Sequence, residues 1–199
     1  TDNDWQFQGA ADYNGDDKTD VLLRRKSDGQ WRLLSLNDGS VTSDDIMALH
    51  TSPDWHYQGS GDFDGDGEEE IIYGDYNGFI HVLNSDGSEL EDETFPFDTG
   101  NQVWGAAAGS DMDGDGLTDI AVVSKSKHFY LLDLENGLKV DYDTGKFLLG
   151  TPAIGQLDGD ADLEVVFSGY SSGNMIWALN PDGSDVSGFP IDLGEKVKT

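Results

Sequence analysis

Residues 109–123 read GSDMDGDGLTDIAVV, which puts Asp111, Asp113, Asp115 and Asp119 at positions 1, 3, 5 and 9 of a glycine-threaded loop that runs straight into an apolar segment. Alternating side chains on a tight loop converge, and two bare charges at roughly 4 Å and an effective dielectric near 20 repel by about 4 kcal/mol. The chemistry such a set supports is coordination of a hard cation by oxygen. The same frame recurs with Asp12, Asn14, Asp16 and Asp20, with Asp62, Asp64, Asp66 and Glu70, and with Gln156, Asp158, Asp160 and Glu164. Position 7 offers a backbone carbonyl from Lys18, Glu68, Leu117 and Asp162. Six or seven oxygen ligands, with no nitrogen or sulfur, suit Ca2+ at about 2.3–2.6 Å better than the stricter octahedron of Mg2+. Two to four bound calcium ions are therefore expected.

The loops are not equivalent. The second and third match the pattern best and are expected to bind most strongly. The first has Asn14 at position 3 and Asp17 where glycine is usual at position 6, and Asp tolerates a left-handed backbone. The fourth has Gln156 at position 1 and Ala161 at position 6, and is expected to be the weakest. An EF-hand starts in the same way but closes with a glutamate at position 12. Position 12 here is Leu23, Tyr73, Val122 and Phe167, all in apolar runs with no flanking helical pattern, which excludes that reading.

Elements that position these loops can be read from the repeat itself. The first positions are spaced by 50, 49 and 45 residues, a period typical of solenoids, propellers and arrays. Trp5, Trp55, Trp104 and Leu149 lie seven residues upstream of the loops, and Gly9, Gly59, Ala108 and Ala153 three upstream. Each loop feeds an apolar run (VLL, IIY, IAVV, EVVF). A second strand-like run follows, QWRLLSL, FIHVLN, FYLLDL or MIWALN, and each unit then reaches an NDG, SDG, ENG or PDG turn signal. β-Branched and aromatic residues are plentiful, and no segment has capped helical periodicity. The fold class expected is all-β: a β-propeller of four-stranded antiparallel blades, near 1–49, 50–99, 100–145 and 146–199. The small residues of GAAAG (105–109) suit an innermost strand, where blades crowd together.

Composition narrows the partners. Forty acidic residues against 11 basic give a net charge of −29, which disfavours nucleic acid and anionic membrane surfaces. No run of 18 apolar residues is present to insert into a membrane. Cysteine is absent, so disulfides and thiolate zinc sites are excluded, and the four histidines show no metal-ligand spacing. The chain does not begin with Met, and is read as a processed secreted protein or as an excised piece of a longer one.

The phased DxDGDGxxD loops, the WxxxG lead-ins (Trp5 to Gly9, Trp55 to Gly59) and the segments FPFDTG and PDGSDVSGFPIDLG resemble the FG-GAP or VCBS-type repeats of calcium-binding β-propellers, such as the integrin alpha-subunit head. The resemblance covers essentially the whole chain. It implies a calcium-stabilised, extracellular or cell-surface propeller, of which these four repeats are expected to be part of a ring of seven or eight blades. A closed four-bladed ring, or two chains associating to complete a larger ring, are the alternatives.

The function expected is a non-catalytic recognition or adhesion module holding a glycan or protein ligand on one face. The alternative is an accessory part of an extracellular polysaccharide-degrading enzyme. GYSSG (169–173) fits G-x-S-x-G on paper, but it falls between two strands rather than at a strand-to-helix elbow, and reads as a hairpin turn. The in-phase Trp5, Trp55 and Trp104 are expected to pack between blades. Trp31 and Trp177 are expected in the core, with a sugar-stacking platform as the alternative.

Overall fold

The structure, a computed structural model, describes residues 4–47, 56–90, 93–170, 174–195 and 197. Trp55 and residues 171–173 of GYSSG lie outside the described residues. Among the described residues, sixteen strands form four four-stranded sheets, each an antiparallel meander in chain order. The first sheet holds β1 (Trp5–Ala11), β2 (Asp20–Arg25), β3 (Trp31–Asn37) and β4 (Ser40–Ile46). The second holds β5 (His56–Gly61), β6 (Glu70–Gly74), β7 (Phe79–Leu83) and β8 (Phe97–Asp98). The third holds β9 (Ala108–Ser110), β10 (Asp119–Val123), β11 (His128–Asp133) and β12 (Gly137–Asp143). The fourth holds β13 (Ala153–Gly155), β14 (Glu164–Ser168), β15 (Met175–Leu179) and β16 (Ile191–Asp192). No helix occurs among the described residues.

In every sheet the acidic loop joins the first strand to the second. The first strands neighbour one another in series, β1 beside β5, β5 beside β9 and β9 beside β13. Blades meet closely there. A Cβ on Gly105 would collide with the backbone carbonyl of Gly150 in the lead-in to the next blade, so only glycine permits that approach.

Three apolar cores lie between successive blades. Tyr13, Leu22, Trp31, Ile71 and Tyr73 join the first to the second. Phe63, Ile72, Ile80, Ile120 and Val122 join the second to the third. Met112, Ala121, Phe129, Phe167 and Trp177 join the third to the fourth. The described residues form no fourth core that would close the fourth blade onto the first. The strand patterns agree. In β2 and β3 burial alternates, whereas every residue of β6 and β10 is buried, as expected for strands covered on both faces.

The tryptophans divide differently from their sequence phase. Trp31 and Trp177 are buried in the cores, which removes them as sugar platforms. Trp104 is 49% exposed and does not pack between blades as its phase predicts. Its ring instead meets the edge of Tyr76 and lies under the Lys125 ammonium at 4.6 Å. Trp5 is half-buried under Arg25 and Arg32 of its own sheet. Trp5 opens β1, whereas Trp104 lies four residues ahead of β9, so the shared phase meets two different backbones.

Candidate metal centres

Each loop is wired by its own backbone. In the second, Asp62 accepts the Gly65 and Gly67 N–H groups at 2.7 and 3.2 Å, Asp64 accepts Asp66 N–H at 3.1 Å, and Asp66 accepts Glu68 N–H at 2.8 Å. The third repeats this with Asp111, Asp113 and Asp115, and the first with Asp12, Asn14 and Asp16. These bonds fold the side chains at positions 1, 3 and 5 inward. The turn needs a left-handed backbone at position 4, where Gly15, Gly65, Gly114 and Gly159 have φ between 68 and 91°. Position 6 is also left-handed in Asp17, Gly67 and Gly116, but Ala161 is not, so the fourth loop takes a different path there.

In three loops acids at odd positions lie close together. Carboxylate oxygens of Asp62, Asp64 and Asp66 lie within 4.8 Å of one another, as do those of Asp111, Asp113 and Asp115, and those of Asp158, Asp160 and Glu164. In the first three loops position 2 anchors the loop to the following blade. Tyr13, Phe63 and Met112 are buried, whereas Leu157, with no blade beyond it among the described residues, is 48% exposed.

Position 9 tests whether a cation fits. Asp20, Glu70, Asp119 and Glu164 are all buried at the start of a second strand. One oxygen of Glu70 accepts the Phe63 N–H at 2.8 Å, one of Asp119 accepts Met112 N–H at 2.9 Å, and one of Glu164 accepts Leu157 N–H. Asp20 accepts Leu36 N–H at 3.2 Å. Oδ2 of Asp20 and Oε1 of Glu164 are buried with no hydrogen-bond donor, whereas Oδ1 of Asp119 faces the Lys139 ammonium. Burial, reinforced by Asp64 and Asp66, pushes the Glu70 carboxyl up to about 7. Burial likewise raises Asp20 and Asp119. A buried carboxylate with one oxygen fixed by the backbone and the other undonated is costly unless a positive charge meets it. An oxygen-only donor set of this kind fits a hard divalent cation.

The loops differ in what already stands in them. The second contains no lysine contact to Asp62, Asp64, Asp66 or Glu70 among the described residues. In the first, the Lys18 ammonium pairs with Asp16 at 3.0 Å from the exposed side. In the fourth, Gln156 Nε2 donates to the carbonyls of Asp160 and Asp162 at 2.8 and 2.9 Å, so an amide group faces the position-7 oxygen. The third holds the largest departure from the sequence expectation. Lys139 of β12 places its ammonium 2.7 Å from Asp113 and 2.8 Å from Asp119 Oδ1, with Asp115 and the buried Asp133 at 3.8 and 3.7 Å. Nothing in the loop motif signals this lysine, which lies twenty residues beyond position 9.

At the opposite end of the sheets the turns carry aromatic rings. Tyr76, Trp104, Phe147 and Tyr170 are all 39–49% exposed. Lys125 lies over Trp104 and Lys127 over Phe147.

A profile of the FG-GAP-like repeat matches residues 12–73 and, overlapping, 62–122. No curated protein sequence matches the chain. Among solved structures, it is similar to BBS1N from a complex with ARL6DN, at a TM-score of 0.62 and 9% identity over 94% of this chain and 54% of that one. It is also similar to a protein of unknown function from Bacteroides caccae, at 0.50 and 14% identity over 96% of this chain and 62% of that one. BamB from Moraxella catarrhalis matches at 0.48 and 16% identity, over 91% and 47%. The chain thus spans about half to three-fifths of the length of these structures. At such identities the likeness concerns the fold, a β-propeller.

Proposed function

The chain belongs to the FG-GAP-like repeat family, and from that premise we propose that it is a calcium-stabilised, non-catalytic propeller module of a secreted or cell-surface protein, serving recognition of a glycan or protein. The buried position-9 carboxylates carry the calcium part of this reading. Each has one oxygen tied to a backbone N–H, and in the first and fourth loops the second oxygen is buried with no donor at all. Bound calcium would supply a charge that lets the acids of a loop ionise together, while Asp62, Asp64, Asp66 and Glu70 would hold it in the second loop, with the Glu68 carbonyl. Extracellular modules of this kind bind weakly, at about 10⁻⁴–10⁻³ M, which suits a calcium-rich exterior.

Calorimetric titration tests it. The wild-type chain is expected to take up calcium, and Asp64→Ala to bind one ion fewer. A chain that releases no heat with calcium, or an Asp64→Ala variant with unchanged stoichiometry, would overturn the reading.

The band of Tyr76, Trp104, Phe147 and Tyr170 with Lys125 and Lys127 supports the recognition part. Exposed rings offer stacking faces, and lysines in a chain of net charge −29 offer local positive charge suited to an acidic glycan. On a glycan array the chain is expected to retain acidic polysaccharides, and Trp104→Ala with Lys125→Ala to lose them. Retention unaffected by both changes would place recognition elsewhere.

A further inference from the structure

We propose that the third loop carries its own tethered cation: the Lys139 ammonium occupies the ligand centre, and a divalent ion enters only by displacing it. The sequence ranks this loop among the strongest, and an ammonium at its centre would reverse that rank. The proposal rests on calcium being the ion of the other loops.

Strand register explains how a lysine reaches the loop. β11 pairs with β12 through Leu131↔Val140 and Leu132↔Leu138, which leaves Lys139 as the extra residue of a β-bulge. A bulge re-aims the side chain it carries. The corresponding bridges in the second and fourth blades are Leu83↔Glu89 and Leu179↔Asp185, and there the next residues, Leu90 and Val186, donate directly to Val82 and Ala178, with no extra residue in the position of Lys139. The lysine comes with a partner acid. Asp133, at the end of β11, is fully buried and 3.7 Å from the ammonium, and the matching positions in the second and fourth blades are Asn84 and Asn180. The third blade therefore has both an added cation and an added acid beside its loop.

The geometry is that of an occupant rather than a surface pair. The ammonium contacts position 3 and position 9 together, the two ligands on opposite limbs of the loop, and meets the buried oxygen of Asp119 that in the first and fourth loops has no donor. An ammonium presents three donors at hydrogen-bond distance, whereas a divalent ion needs six or more oxygens closer in, so the two cannot share the centre.

Lys139→Met tests the proposal in two ways. In calcium titrations it is expected to tighten one site by about tenfold or more, since a competing charge has been removed, and Asp113→Asn in the same chain should abolish that gain. In chelator, Lys139→Met is expected to melt below wild type because the carboxylates lose their counter-ion, and in millimolar calcium to melt at or above it. An unchanged titration, or an equal deficit in both solutions, would overturn the role of Lys139. Absence of calcium binding in wild type and variant alike would sink the calcium reading instead, and an unchanged melting temperature in chelator would then sink the lysine as well. Lys139→Gln, which keeps a donor to Asp113 and Asp119, is expected to give the same calcium gain if the Met variant fails to fold.

Discussion

Stripping divalent cations is expected to lower the melting temperature by roughly 10–20 °C. At a hundredfold excess over its dissociation constant, one bound ion stabilises the folded state by about 2.7 kcal/mol. The first two loops have neither Lys139 nor the Gln156 amide at their centres, and together would contribute about 5 kcal/mol. For a chain of this size each kcal/mol moves the midpoint by about 2–4 °C. Melts in chelator, in calcium at a hundredfold excess over the dissociation constant (about 10 mM for a site of about 10⁻⁴ M) and in equal magnesium decide it. Calcium should raise the midpoint well above the other two, and coincident curves would show that metal contributes nothing to stability. Much of the effect comes from the buried acids, because without an ion Glu70 is held up near 7 and burial opposes its ionisation.

The other large effect is expected from Phe167→Ala. Phe167 stacks on Phe129 of the third blade at 4.7 Å with the rings nearly parallel, and on Trp177 of its own blade at 5.7 Å. It is the middle ring of the core joining the third and fourth blades. Truncating a buried phenylalanine costs about 3–5 kcal/mol, because the transfer energy is lost and the cavity collapses only in part. A fall in melting temperature of roughly 6–20 °C follows. Trp104→Ala removes a larger ring from an exposed site and is expected to stay within about 0.5 kcal/mol of wild type. If the two variants melted together, the stacked rings would not be what joins the blades.

Fold and loops were legible because the repeat is written at two levels. The odd-numbered acids mark each turn, and the apolar runs after them mark each second strand, so the sheet count follows from the period. The position-9 acids were legible as closing residues, but their burial was not, since spacing does not say how deep the start of each second strand lies; Glu164 is fully buried even though Leu157 of the same loop is exposed. Phase misled at Trp104. Its spacing copies Trp5, but Trp5 opens β1 whereas Trp104 lies four residues ahead of β9, so equal spacing meets a different backbone. Lys139 was invisible because a bulge shifts register by one residue without leaving any mark in composition. LKVDYDTG reads as an ordinary variable segment. DVLLRR is less buried than EIIYG or DIAVV, because among the described residues its sheet shares a core with one neighbour and theirs with two.

Three cores shared among four sheets also set how the protein comes apart. Each internal sheet is clasped from both sides and each flanking sheet from one, so cooperativity runs through nearest neighbours, as in a linear array. For these four sheets taken alone, opening is expected to begin at the flanks and travel inward, with amide exchange fastest in β1–β4 and β13–β16 and slowest in β6 and β10.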